Sequence, residues 1–470
     1  MARRNVPVKQ PKIYTHEGGK AQHINPEQQL RRSVMSCMLW EDEFYEDGKT
    51  IASRVAELVP RVKPEVVAQI AIDAREKMYL RHMPLLLVRE MARSNGHRPF
   101  VASTLDRVIQ RADELAEFLA IYWADYRQPL SAQVKKGLAS AFTKFDEYQL
   151  KKYNRDNAIK LRDVLFLCHA KPRDKAQEAL WKRLIDDNLK QAKTWEEELS
   201  KGTGKKTEED KKAVWEMQLR SGKLGDFALL RNLRNMHEAG VNEALIGEAM
   251  RKGRFRKVLP FRFIAAAQTN KWYEPLIEEA MLRKMQGYTK LPGYTVLLVD
   301  VSGSMDAHLS ARSDLQRIDA ACALAAFMRE VCEKVDVFTF SEDLVQVPAR
   351  RGFALIDACN NSQRHSGTYL GHAINAIYAP KGRRVSYEEY GWGFRRESSH
   401  KGLGLQPDRL VTITDEQAHD EVKLPKGMKG YMLNVASNAN GVGYGNWLHI
   451  DGWSEAVIDY IVELETHELY

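Results

Sequence analysis

Residues Tyr294–Met305 read YTVLLVDVSGSM. Thr295–Val299 is an unbroken run of apolar and β-branched residues, the pattern of a strand buried on both faces in the middle of a parallel sheet. The run stops at Asp300, and Ser302, Gly303 and Ser304 follow at once. One carboxylate and two hydroxyls thereby sit on a tight loop at the carboxyl end of a central strand, where open α/β sheets carry their ligand sites. Oxygens clustered in this way suit a hard cation.

The Asp-x-Ser-x-Ser spacing resembles the metal-ion-dependent adhesion site of von Willebrand factor A domains, and that resemblance implies two further ligands on later loops. Thr368, in HSGTYLGHAINAIY, stands just before a helical apolar pattern, and Asp415 ends the strand-like run DRLVTITD. The expected metal set is Asp300, Ser302, Ser304, Thr368 and Asp415. Oxygen coordination with few carboxylates favours Mg²⁺, which keeps waters and readily takes an outside acidic ligand. A site of this kind captures a partner's carboxylate better than it hydrolyses a bond, and the nearby His308, His365 and His419 read as loop histidines, so no enzyme is expected. The remaining elements agree with an α/β domain: RIDAACALAAFMREVCEK reads as a buried helix, VDVFTFS and KGYMLNVA as strands, and WSEAVIDYIVELE as a closing helix.

A chain of 470 residues is too long for one compact core. Its net charge of +8 hides an asymmetry: residues 1–290 carry 54 Lys and Arg against 39 Asp and Glu, whereas residues 291–470 carry 17 against 24. The first part is the candidate for a polyanion partner. Five scattered cysteines without a CxxC pair indicate neither a disulfide framework nor a zinc site. No apolar stretch reaches the ~18 residues of a membrane span, so a cytoplasmic protein without membrane contact is expected.

Residues 1–25 read as an irregular tail, residues 26–290 as a helical module and residues 291–470 as the A-type domain. Amphipathic runs such as KPEVVAQIAIDAREKMYLRHMPLLLVREMARS recur through the module, broken at Pro60, Pro64, Pro84, Gly96, Pro99, Pro129 and Gly137. Short helices in series suggest an α-solenoid of HEAT-like hairpins, with a compact irregular bundle as the alternative. SKGTGKKTEEDKK, over Ser200–Lys212, is not a phosphate loop, because Leu199 and Lys206 stand where Gly and Ser or Thr are needed.

Two basic stretches are candidates for nucleic acid. RKGRFRK gathers Arg251, Lys252, Arg254, Arg256 and Lys257 around Phe255 and is followed by Arg262 and Lys271, a spacing in which cations meet phosphates while an aromatic face stacks on a base. KKYNRDNAIKLRDVLFLCHAKPRDK, over Lys151–Lys175, places Arg162 and Phe166 four residues apart on one helix side, with His169 a turn later where Lys171 and Pro172 end the helix.

A basic helical module ahead of an A-type domain, with LRDVLFLCHAKP (Leu161–Pro172) and ALLRNLRNM (Ala228–Met236), resembles the TROVE family, that of the Ro autoantigen and its bacterial orthologues. The likeness extends over roughly Asn25–Leu464. It implies an α-helical HEAT-like repeat toroid closed by an α/β von Willebrand factor A domain. It also implies binding of small noncoding Y-like RNA on the outer surface and of single-stranded 3′ ends of misfolded RNA in the hole; a monomer is expected. Lys152 and His169 match the family's Y-RNA-binding positions, and Arg155 approximates a third, one residue closer to Lys152 than the family's run has it. The hairpin-like insertion Lys381–Asp408, with Tyr387, Tyr390, Trp392 and Phe394, departs from the pattern. Two other readings of the residues stand beside this one: a metal-dependent adhesion or scaffold protein without RNA, partnered through the A domain, and a hydrolase using Asp300 and Asp415.

Overall fold

The computed structural model describes residues 25–35, 48–154, 156–190, 207–286, 288–308, 315–388, 395–436 and 440–452, with scattered single positions besides. Most of the expected tail, Cys37 and the insertion aromatics lie outside the described residues or side chains. Among those described, every regular element between residues 26 and 284 is helical. The series runs α1 (Pro26–Met35), α2 (Gly48–Leu58), α3 (Pro64–Glu76), α4 (His82–Arg93), α5 (Arg98–Val108), α6 (Asp113–Tyr122), α7 (Ala132–Phe142) and α8 (Glu147–Tyr153). It continues with α9 (Leu161–Cys168), α10 (Lys175–Ile185), α11 (Glu208–Ser221), α12 (Asp226–Arg231), α13 (Leu233–Glu238), α14 (Glu243–Lys252), α15 (Pro260–Thr269) and α16 (Glu274–Lys284). Prolines open several of them, because the first turn needs no N–H at that position.

Gly137 was expected to break a helix, and it lies inside α7 instead. A Cβ there would stand 2.9 Å from the Leu105 Cβ and 3.0 Å from the Ala102 carbonyl, so the glycine exists to let α7 press against α5. Helices pack on near neighbours in sequence, α3 on α4, α4 on α5, α5 on α7 and α7 on α9, as a solenoid requires. One apolar core serves the helices up to Leu189, and a second joins the later helices to one face of a sheet.

That sheet is assembled from β1 (Leu291–Asp300), β2 (Cys332–Phe340), β3 (Leu344–Gln346), β6 (Arg409–Thr414), β7 (Lys429–Asn434) and β8 (Leu448–Asp451), in the order β3-β2-β1-β6-β7-β8. All neighbours are parallel except β2 and β3. Helices α17 (Arg317–Val331), α18 (Gly352–Asn360) and α19 (Leu370–Tyr378) belong to the same domain. The chain leaves β1 towards β2 on one side and returns to β6 on the other, so the carboxyl ends of β1 and β6 flank the topological switch point. The 381–408 insertion forms the antiparallel pair β4 (Arg384–Glu388) and β5 (Arg395–Lys401).

The helices close into a ring through the A-type domain. At one end α15 packs on α17 and α16 on α18. At the other, α1 reaches the sheet's far strand β8, and Arg32 enters the domain fully buried. Its Nη1 lies 2.9 Å from Glu416 Oε1, also fully buried, and its Nε donates to the Asn438 carbonyl at 2.7 Å. His449 contacts the same Glu416 carboxylate and stacks on Tyr444 at 4.0 Å. Burial opposes ionisation of Glu416, yet Arg32 and His449 outweigh it and hold the carboxyl down at about 2.

Removing one partner of a buried ion pair leaves an uncompensated charge and costs about 3–5 kcal/mol. Arg32→Ala is therefore expected to undock α1: hydrogen exchange of residues 26–35 speeds up while β1 stays protected. Burial would lower the His449 pKa, but Asp451 and Glu416 together raise it to about 9. A histidine raised in this way stabilises fully below its unfolded value near 6.5 and loses that contribution as pH rises through about 9. The midpoint of thermal unfolding should fall across that window, and His449→Gln should flatten the fall.

Candidate metal loop and cation-lined cavities

Asp300 and Asp415 stand at the ends of adjacent parallel strands, and the structure gathers the five expected oxygen donors of the metal set on three interlocked loops. Ser302 N donates to Asp300 Oδ1 at 2.9 Å, and the Ser302 and Ser304 hydroxyl oxygens are 3.3 Å apart. Gly303 N donates to the Ser366 carbonyl at 2.9 Å, which ties the first loop to the one that carries Thr368. Thr368 N donates to His419 Nδ1 at 3.0 Å, which ties that loop to the one after Asp415. All five donor residues are buried.

Burial, and then the neighbouring Asp415, push the Asp300 carboxyl up to about 7. Asp415 Oδ2 is buried and has no hydrogen-bond partner among the described residues; its counter-charge is Arg317 Nη1 at 3.7 Å. Two facing carboxylates, one with an orphaned oxygen, fit a cation held between them with the hydroxyls of Ser302, Ser304 and Thr368. Among the described residues no cluster of three His, Cys, Asp or Glu could hold a metal, so a cation here depends on hydroxyl donors.

Three supports were not foreseen from the sequence: Arg317, Thr414, whose hydroxyl donates to Asp300 Oδ2 at 2.5 Å, and Asp420. The Asp420 carboxylate accepts from Gly371 N and His372 N at 3.0 and 2.6 Å, fixing the start of α19 and with it Thr368. Gly371 has to lack a side chain, since a Cβ would stand 2.2 Å from the Glu421 carbonyl. Of the three loop histidines, His365 lies 2.7 Å from Asp306 Oδ1 and His419 stacks on Tyr369 at 5.1 Å, which makes both parts of the scaffold.

The helical module carries two cavities lined by cations. The first, of about 500 Å³, is lined by Trp123, Arg127, Lys135, Phe166 and His169 among others. His169 caps α9 in the left-handed conformation, φ 54°, which turns its ring out to solvent beside Phe166, 57% exposed. The Arg127 guanidinium lies over the Trp123 ring at 5.2 Å. Lys152, Arg162 and Lys171 do not line this cavity, and Arg155 lies outside the described residues. The missed contributors Trp123, Arg127 and Lys135 surround Pro129, and the aromatic and basic residues interleaved in YWADYRQPLSAQVK were a signal that could have found them.

The second cavity, of about 510 Å³, is lined by Arg251, Lys252, Arg254, Arg256, Arg283 and Lys284, with Tyr79 and Tyr288. Arg283 donates to the Met250 carbonyl at 2.6 Å and Lys284 to the Phe255 carbonyl at 2.8 Å, so two cations of α16 brace the loop that presents the others. Lys257 and Arg262 do not line it. Phe255, expected to stack on a base, is instead fully buried against Phe263 at 5.6 Å. The backbone turns left-handed there, φ 51°, and Phe255 N donates to Asp226 Oδ2 at 2.6 Å, which drives the ring inward. The aromatic faces at this cavity are those of Tyr79 and Tyr288; Tyr79 comes from the loop after α3, so the cavity lies where the first helices approach the last.

No curated protein sequence matches the chain. The crystal structure of the Deinococcus radiodurans RO (RSR) protein superposes with a TM-score of 0.60 at 17% identity, covering 94% of this chain and all of that one. The shared fold is thus a helical toroid with an A-type α/β domain. The TROVE domain model matches residues 13–192 and 182–290, more than half of the chain. The chain therefore belongs to the TROVE-domain family, that of Ro-type RNA-binding proteins.

Proposed function

We propose that this ring takes small, structured, Y-like noncoding RNA on the surface around His169 and the single-stranded 3′ ends of misfolded RNA at the cavity around Arg254, in noncoding-RNA metabolism or quality control. The units are the helical module of residues 26–290, which holds the RNA, and the domain of residues 291–470, which holds a divalent cation, most simply Mg²⁺, and through it an acidic group of a protein partner. The protein works in this reading as a cytoplasmic monomer and binds rather than cleaves its RNA.

One observation carries the reading. Arg254 and Arg256 face a cavity that also holds two tyrosines, and among the described residues neither arginine has an ion-pair partner. Cations left unpaired beside aromatic faces are what single-stranded nucleic acid needs, charge for the backbone and π-faces for the bases. The surface around His169 has the same ingredients in a more open form, suited to a stem with a few unpaired bases.

Two RNA sites on different helices should separate by mutation. His169→Ser with Lys152→Ala is expected to weaken a stem-containing RNA at least tenfold and to spare a single-stranded tail, and Arg254→Ala with Arg256→Ala to do the reverse. Filter-binding titrations at several salt concentrations read both, with log K for the tail falling at about −3 to −4 per log salt if it neutralises on the order of five phosphates. Equal loss of both RNAs in both variants would mean one shared site.

The cation is tested separately. Millimolar Mg²⁺ should raise the unfolding midpoint of the wild type, since a ligand bound by the folded state alone stabilises it. Asp300→Ala should remove that rise and leave RNA affinity within about threefold. A tenfold loss of RNA binding in the folded variant would contradict the division between the two halves.

A further inference from the structure

Trp272 is the most exposed large hydrophobic residue described, at 65%, and it is not disordered decoration on a loop end. Its indole stacks on the His237 imidazole, ring centres 4.4 Å apart and planes 16° from parallel. His237 Nδ1 lies 3.4 Å from the Tyr273 hydroxyl, and Tyr273 is buried in the core, so the imidazole is a fixed base for the indole. Stacked on His237, the indole remains largely open to solvent.

A strip along the same two segments carries a second exposed aromatic–cation pair, beside the residue that anchors the Arg251–Lys257 loop. Asp226 binds the backbone of the Arg251–Lys257 loop, and the next residue, Phe227, is 44% exposed with the Arg262 guanidinium 5.6 Å above its ring. Phe227 with Arg262 and His237 with Trp272 are the same distance apart in sequence, so α12–α13 and α15 with the turn after it run side by side in the same direction. Ten residues separate the two pairs along each side of the strip, with a break at Asn232 on one side and at Asn270 on the other. Arg231, Arg234 and Lys271 are exposed along it. Arg234 meets Glu238 at 3.5 Å with both side chains in solvent, a weak pair, and Arg231 and Lys271 have no ion-pair partner among the described residues.

We propose that Trp272, backed by His237, is a base-stacking platform for an unpaired nucleotide of single-stranded RNA, at the far end of a track that begins at the cavity of Arg254 and Arg256. The strip's excess of cations selects a polyanion, and its aromatic faces select one with bases. The inference rests on the RNA-binding reading of that cavity and extends it to residues outside it.

The test is fluorescence anisotropy with labelled oligouridine of about ten nucleotides, and with an abasic ribose-phosphate oligomer of the same length. Trp272→Ala should weaken oligouridine about 5- to 100-fold and Trp272→Phe less than about threefold, while the abasic oligomer binds both variants as it binds the wild type. His237→Ala, which removes the backing, should lie between. Retention of the wild-type unfolding midpoint in Trp272→Phe supplies the folded control. If Trp272→Ala binds oligouridine as the wild type does, the platform is overturned; Arg254→Ala with Arg256→Ala then says whether the cavity itself still holds RNA. Equal weakening of oligouridine and the abasic oligomer would also overturn it, because the loss would be one of charge. So would unchanged RNA affinity together with loss of a copurifying protein, which would assign the strip to a protein partner.

Discussion

The guanidinium of Arg32 and the carboxylate of Glu416, both shut off from water, decide whether this chain is a ring or an open arc. From Arg32 to Lys284 the described elements are short helices that touch mostly their neighbours, and such a solenoid has no intrinsic reason to close. Closing it costs chain entropy that grows only slowly with length, and the ends meet at further points, the Thr15 hydroxyl donating to the Ala418 carbonyl and the Asn440 side chain to the Tyr14 carbonyl. A buried ion pair adds little net stability over well-packed apolar groups, yet breaking it is costly, because the remaining charge is left uncompensated. The Asn438 carbonyl and His449 complete the arrangement by giving each charge further partners.

The closing contact and the metal loop are adjacent in the chain. Asp415 faces Arg317 and the hydroxyl loop, and Glu416 faces Arg32. Glu416 adopts the left-handed conformation, φ 62°, uncommon for a residue with a side chain, and this sends two successive carboxylates to different tasks. Two acids of the carboxyl-terminal half thus serve internal ends, Glu416 receiving the arginine of the first helix and Asp415 facing Arg317. The basic half buries Arg32, Arg75 and Arg89 in ion pairs and presents other charges outward, in two cavities and on the strip that leads to Trp272.

How much of this could be read from the sequence follows from how local each feature is. A strand that ends in Asp300 and a loop rich in hydroxyls are neighbours in the chain, and Thr368 and Asp415 are marked by the junctions on which they stand. The helical module showed itself by periodicity, although Gly137 misled, because a glycine that opens a helix and one that lets two helices touch look alike. Arg32, Tyr79 and Arg317 act on groups brought in from elsewhere, and no local pattern announces them. Phe255 reads as exposed because charge flanks it on both sides, whereas a left-handed turn pinned by Asp226 points the ring into the core. Trp272 carries no signal at all in the sequence, since a tryptophan beside a lysine is equally consistent with a buried position.

Ultraviolet cross-linking of the 470-residue chain to the RNA that copurifies with it, followed by mass spectrometry of the cross-linked peptides, tests directly whether the helical module holds the RNA. Cross-links are expected on aromatic and basic residues of two separate regions, Trp123–His169 and Arg251–Tyr288, with the A-type domain unlabelled. Cross-links confined to residues 291–470, or none in a preparation that holds RNA, would contradict it.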